Sequence, residues 1–196
     1  TSKKVNGRTG KTYSALHCTK EWMNLNKLVR ASIFAALAIG AGFSLLMIPN
    51  IELITVIIFT AGLYLGPAWG LIVGGTAEMI FSGMNPMGSG LSFPPLFISQ
   101  IIGMAGVGFV GGLLQGVFMI REYSLNKVIT VGIAGFILTF IFDSLTTLSY
   151  PVSAGFDFSR TMGLYISGLG FTLLHQIANS FIFAIGVPRI TKFLVK

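Results

Sequence analysis

Six apolar stretches constrain this chain more than anything else in it: residues 28–48, 51–65, 68–83, 94–120, 128–150 and 161–187. Only short polar or Gly/Pro-rich breaks separate them. Apolar runs of roughly 18 residues or more are long enough to cross the hydrocarbon of a bilayer as helices. Helix is the form they must take, because lipid offers no partner for an unpaired backbone group. Composition closes the alternative: 53% of the 196 residues are hydrophobic and 10% are charged. A soluble domain carries about 25% charged residues, enough to cover a surface facing water. The reading is therefore an all-α membrane protein, six transmembrane helices in a compact bundle. Its punctuation is Pro49-Asn50, the Gly66-Pro67 turn pair, the polar stretch 84–90, the charged loop 121–127, the loop 151–160, and Pro188-Arg189 before a basic tail.

The net charge of +7 invites a nucleic-acid reading, but the placement of the cations argues otherwise. Seven of them (Lys3, Lys4, Arg8, Lys11, Lys20, Lys27 and Arg30) precede the body of the first apolar run. With six spans and the N-terminus inside, Arg121, Lys127, Arg189, Lys192 and Lys196 also fall inside, which makes twelve of thirteen; only Arg160 lies outside. The positive-inside rule thus puts both termini in the cytoplasm of a prokaryotic cell and supports the even count of spans. Residues 1–27 form a basic cytoplasmic segment, with Trp22-Met23 suited to the membrane interface, and residues 28–196 form the transmembrane domain. The basic stretch is too long, and the first apolar run too complete, for a cleaved signal peptide. Cys18 is the only cysteine, so the chain has no internal disulfide and no cysteine-based metal site.

Glycines recur at four-residue spacing, Gly62, Gly66, Gly70 and Gly74 in one series and Gly108, Gly112 and Gly116 in another. Small residues let helix backbones approach closely in lipid, where the hydrophobic effect does not press helices together. Ionisable residues inside spans are costly and mark function by default. Glu78 shares a helix face with Ser82 and Asn85; Asp143 shares one with Thr146, Thr147 and Tyr150; His175 shares one with Asn179 and Thr172. Glu52 opens the second apolar run, and Gln100 lies early in the fourth. In the orientation above, Glu52, Glu78, Asn85, Gln100, Asp143, Thr147 and Tyr150 all lie toward the exterior, with His175 deeper. Their expected convergence is an outward pocket with apolar walls and a few polar groups. Helix-to-helix hydrogen bonding is the structural alternative for each carboxylate and for the histidine. No His-Glu-x-x-His helix, Gly-x-Ser-x-Gly elbow or P-loop is present, so no catalytic residue, resident cofactor or metal is expected, and ATP could be used only by partner subunits.

Several segments together resemble the substrate-binding S component of energy-coupling factor (ECF) vitamin transporters. They are residues 28–37 with Ala31 and Ala35, the stretch Gly62-Leu63-Tyr64-Leu65-Gly66-Pro67-Ala68-Trp69-Gly70, and the ending His175-Gln176-Ile177-Ala178-Asn179-Ser180 followed by Pro188-Arg189. The resemblance covers residue 26 to the C-terminus. It implies high-affinity capture of a vitamin or related micronutrient from outside, docking of the Ala31/Ala35 face onto a transmembrane coupling subunit, and energy from two cytoplasmic ATPases. Pro49-Asn50-Ile51-Glu52 and Asn85-Pro86-Met87-Gly88 are similar to a subgroup associated with cobalamin or its precursors. The competing readings are a self-sufficient secondary transporter or channel using Glu78 and Asp143, and a membrane-embedded enzyme or assembly factor. No internal repeat of the kind common in secondary transporters is visible.

Overall fold

Each apolar run becomes a helix in the computed structural model, which describes residues 25–195. Cys18, the Trp22-Met23 pair, the basic residues up to Lys20, and Lys196 lie outside the described residues. The helices are α1 (Leu25–Leu45), α2 (Ile54–Leu65), α3 (Pro67–Gly83), α4 (Pro94–Leu113), the short α5 (Gln115–Phe118), α6 (Leu125–Ser153) and α7 (Phe158–Leu194), with a 3-10 turn at Gly90–Ser92. No strand occurs among the described residues. By length and composition α1, α4, α6 and α7 can each cross a membrane.

The two shorter helices have a packing reason. At 12 residues, α2 is only about 18 Å long, short of the roughly 30 Å hydrocarbon core. It has little need to reach both interfaces, because nearly all of it is enclosed by protein: Ile54, Val56, Ile58, Phe59, Ala61 and Leu63 are all buried. Around it stand α1, α3, α4 and α7, while α6 completes the wall between α4 and α7. The ring is open on one side, since α1 and α7 share no extensive contact.

Close approach in the α2/α3/α4 core depends on the glycines. A methyl group built at Gly62 or Gly70 would overlap the Gly108 carbonyl oxygen, one at Gly74 that of Met104, and one at Gly112 the backbone of Pro67. Gly116 is different, with open space where a side chain would go. Gly66 joins α2 to α3 at φ 95°, a left-handed conformation that suits glycine because it lacks Cβ.

Two expected breaks are absent. Helix α6 runs through Pro151 to Ser153, and α7 runs through Pro188 to Leu194. A proline removes one backbone donor and frees one carbonyl. Pro151 stands in the last turn of α6, where the helix is ending, and Gly155 follows with φ 69°. Around Pro188 the helix is held by its packing, with Val187 and Thr191 both fully buried. Conversely, the run 94–120 is divided at Leu114, just after Gly111 and Gly112 press onto the backbones of Phe59 and Gly66-Pro67.

Candidate functional site

The polar side chains of the bundle fall into two groups. The larger one forms where the N-terminus of α2 meets the middle of α6 and α7. His175 of α7 lies between two carboxylates: its Nδ1 is 2.9 Å from Asp143 Oδ1, and its Nε2 is 3.4 Å from Glu52 Oε1. Its Nε2 also lies 3.2 Å from the Asn179 amide nitrogen, so three neighbours hold the ring. Asp143 is held from its other oxygen by the Gln176 amide at 3.3 Å. Glu52 accepts from the Thr55 hydroxyl and from Asn179 Nδ2, the latter at 3.3 Å, and Asn179 also reaches Thr139 Oγ1 at 3.1 Å. Glu52 precedes the first turn of α2, so the helix's exposed N–H groups and dipole favour its negative charge.

This network leaves two loose ends. Glu78, on α3, is 2% exposed and within electrostatic reach of Glu52. Its Oε2, like Asn179 Oδ1, is buried with no hydrogen-bond partner among the described residues. Buried polar atoms are nearly always paired, because an orphan loses water and gains nothing. Asn179 touches Glu52 directly, and Glu78 lies within its electrostatic reach. Three carboxyl groups, those of Glu52, Glu78 and Asp143, thus share one imidazole.

Glu52 and His175 also line a cavity of about 250 Å³ at the open side of the ring, walled by Leu45, Pro49, Phe81 and Phe171. The α1–α2 loop thus contributes both wall and carboxylate. Asp143 lies behind the histidine, 9% exposed at its side chain.

The second polar group is smaller. Ser82 of α3 donates to Gln100 Oε1 of α4 at 2.6 Å, and Gly90 fits against both because it has no Cβ. Asn85 lies beyond it in the α3–α4 connection, where its Oδ1 accepts from the Met87 N–H at 2.9 Å and tightens a turn. Tyr150 is exposed and stacks between Phe93 and Phe156, with ring centroids 5.9 and 5.7 Å away. Thr147 makes no hydrogen bond among the described residues. Of the eight residues expected to converge, the structure joins Glu52, Asp143 and His175 directly, sets Glu78 beside them, and leaves Gln100, Asn85, Thr147 and Tyr150 elsewhere. Only Glu52 and His175 face the cavity.

Sequence reasoning passed over Thr55, Thr139 and Gln176. Two of them had a signal: Thr139 stands four residues before Asp143 on the same helix face, and Thr55 stands three residues after Glu52, to which it donates. No group of three or more His, Cys, Asp and Glu side chains is arranged to hold a metal ion among the described residues.

On α1, Ala31 is 5% exposed and belongs to a buried cluster with Ala61, Leu65 and Val73, against which Ala35 also packs. The same two residues border an apolar groove of about 390 Å³ between α1 and α3, with Ser32, Ala36 and Trp69. No family model, curated protein or solved structure matches this chain.

Proposed function

We propose that this chain is the substrate-capture subunit of an ATP-driven importer of the energy-coupling factor type, taking up a small micronutrient through the Glu52–His175 cavity. The observation that carries the reading is a pair of buried, unpartnered acceptors, Glu78 Oε2 and Asn179 Oδ1, beside a carboxylate that opens onto a cavity. An apolar cavity with a few fixed polar groups is the usual form of a small-molecule site. Acceptors in excess call for a ligand that donates hydrogen bonds or carries positive charge. At about 250 Å³, the cavity lies below the usual range for drug-sized ligands. That favours a compact ligand over a macrocycle of the cobalamin kind.

Six described cations, Lys27, Arg30, Arg121, Lys127, Arg189 and Lys192, gather at the end of the bundle away from Ser82, Gln100 and Tyr150. By the positive-inside rule that end is cytoplasmic, α1, α2, α3, α4–α5, α6 and α7 are the six spans, and the polar network lies on the outer side. Docking onto a coupling subunit would use the α1–α3 groove, where small residues leave room for a partner helix. The test is direct: purify the chain and measure binding across a panel of vitamins and small cationic micronutrients. Nanomolar-to-micromolar binding lost in Glu52→Gln is expected; no binding to any member would refute the reading. The orphaned carboxylate oxygen of Glu78 also favours a second reading, an ion- or proton-coupled transporter. Uptake by the chain alone in liposomes, driven by an ion gradient, would establish it instead.

A further inference from the structure

A cavity of about 660 Å³ lies at the basic end of the bundle, between the segment after α5 and the last turns of α7. Arg121, Arg189 and Lys192 line it together with Glu122, Tyr123 and Val128. Despite the nearby carboxylate, none of the three cations forms an ion pair among the described residues. Three unneutralised cations converging from two segments repel one another unless an anion sits among them. Helix α6 starts at the same place, and its N-cap Ser124 makes no side-chain capping hydrogen bond. The first-turn amides of that helix therefore lack a side-chain acceptor, adding to the positive field.

Apolar surface continues directly from this cavity. Leu125 and Ile129, within a turn of Val128, are 74% and 51% exposed, and Phe193, next to Lys192, is 86% exposed. A free phosphate has no use for such flanks; a lipid has. We propose that the cavity seats the phosphate group of an anionic phospholipid, with its acyl chains lying along Leu125, Ile129 and Phe193. The two guanidinium groups suit a phosphate because each can offer two parallel N–H donors.

The experiment is native mass spectrometry of the purified full chain, delipidated and then exposed to mixed micelles of phosphatidylglycerol and phosphatidylcholine. Wild type should retain phosphatidylglycerol preferentially. Each cation near an anionic lipid contributes roughly fivefold, so Arg189→Gln with Lys192→Gln should lower that preference roughly 25-fold. Glu122→Gln, which removes the one opposing charge, should raise it by about fivefold, a gain that misfolding would not produce. Lys127→Gln should leave it unchanged, because Lys127 lies outside the cavity and rests over the Phe118 ring, 5.9 Å from its centroid. An unchanged preference in the double variant, or an equal loss in Lys127→Gln, would mean general surface attraction and overturn the site. In a separate arm, inorganic phosphate that binds saturably while no lipid preference exists would overturn the lipid assignment.

Discussion

Replacing His175 with alanine tests the polar network most sharply, because its ring links two carboxylates. Its contacts at 2.9 and 3.4 Å span the imidazole ring, so the two carboxylates stand roughly 8 Å apart and would repel by about 2 kcal/mol at an effective dielectric of about 20. Removing one partner of a buried ion pair costs about 3–5 kcal/mol, most of it the penalty of leaving the other charge unpaired. In a chain of this size that corresponds to a loss of roughly 6–20 °C in Tm. The assay is thermal unfolding of the detergent-solubilised protein, followed by intrinsic fluorescence. A second substitution gives the decisive sign. Asp143→Asn alone should destabilise, because it removes the acceptor of the histidine and of Gln176. Made in the His175→Ala background, the same change should stabilise by about 2 kcal/mol, because it now removes an uncompensated charge. Asp143→Asn destabilising equally in both backgrounds would refute the coupling of His175 to the two carboxylates.

Further outcomes follow from particular contacts. Gly70→Ala puts a methyl group into the Gly108 carbonyl and should cost about 3 kcal/mol or prevent folding, whereas Gly116→Ala, which meets nothing, should stay within about 0.5 kcal/mol of wild type; monodisperse yield and Tm decide. Glu78→Gln replaces a buried carboxyl that has an orphaned oxygen, so Tm should hold or rise while affinity in the ligand panel falls about tenfold, the loss expected for one hydrogen bond to the ligand. Ala36→Leu, on the exposed side of the α1–α3 groove, should spare the fold and ligand binding and stop uptake in cells. Ala31→Leu, by contrast, overpacks a buried cluster and should lower Tm by an amount equivalent to about 1–3 kcal/mol.

The helices were legible because lipid makes hydropathy a nearly complete signal: the apolar runs 28–48, 68–83 and 128–150 correspond to α1, α3 and α6 within a few residues. Prolines misled at Pro151 and Pro188, since a proline costs a helix one backbone hydrogen bond, and helix packing around the buried Pro151 and Val187 holds both helices through it. The pairing of Asp143 with His175 was beyond the sequence. Helical spacing names the residues that share a face, but the rotation of α6 against α7 decides which faces meet. That rotation is set by contacts such as the Ser180 hydroxyl donating to the Gly132 carbonyl at 2.9 Å, which no periodicity encodes.

The position of Glu52 follows from the shortness of α2. His175 is the eighteenth residue of α7, so about 25 Å of helix precedes it. A second helix of full spanning length would carry its N-terminal flank to the far interface, and Glu52 with it. Because α2 ends after 12 residues, the chain must descend from Leu45 through Pro49 and Asn50 to reach it, with Asn50 at φ 61°. Irregular backbone at such depth survives only when buried in protein or lining a cavity, and Pro49, Asn50 and Ile51 do line one. The same truncation therefore brings a carboxylate down to the histidine and leaves the space above it open. Extending α2 by one helical turn between Leu53 and Ile54 would shift Glu52 about 5 Å along the helix axis, out of reach of His175. The expected result is loss of ligand binding and of the His175–Glu52 coupling measured in a His175→Ala/Glu52→Gln double-mutant cycle; retention of that coupling would show that the depth of Glu52 does not depend on the length of α2.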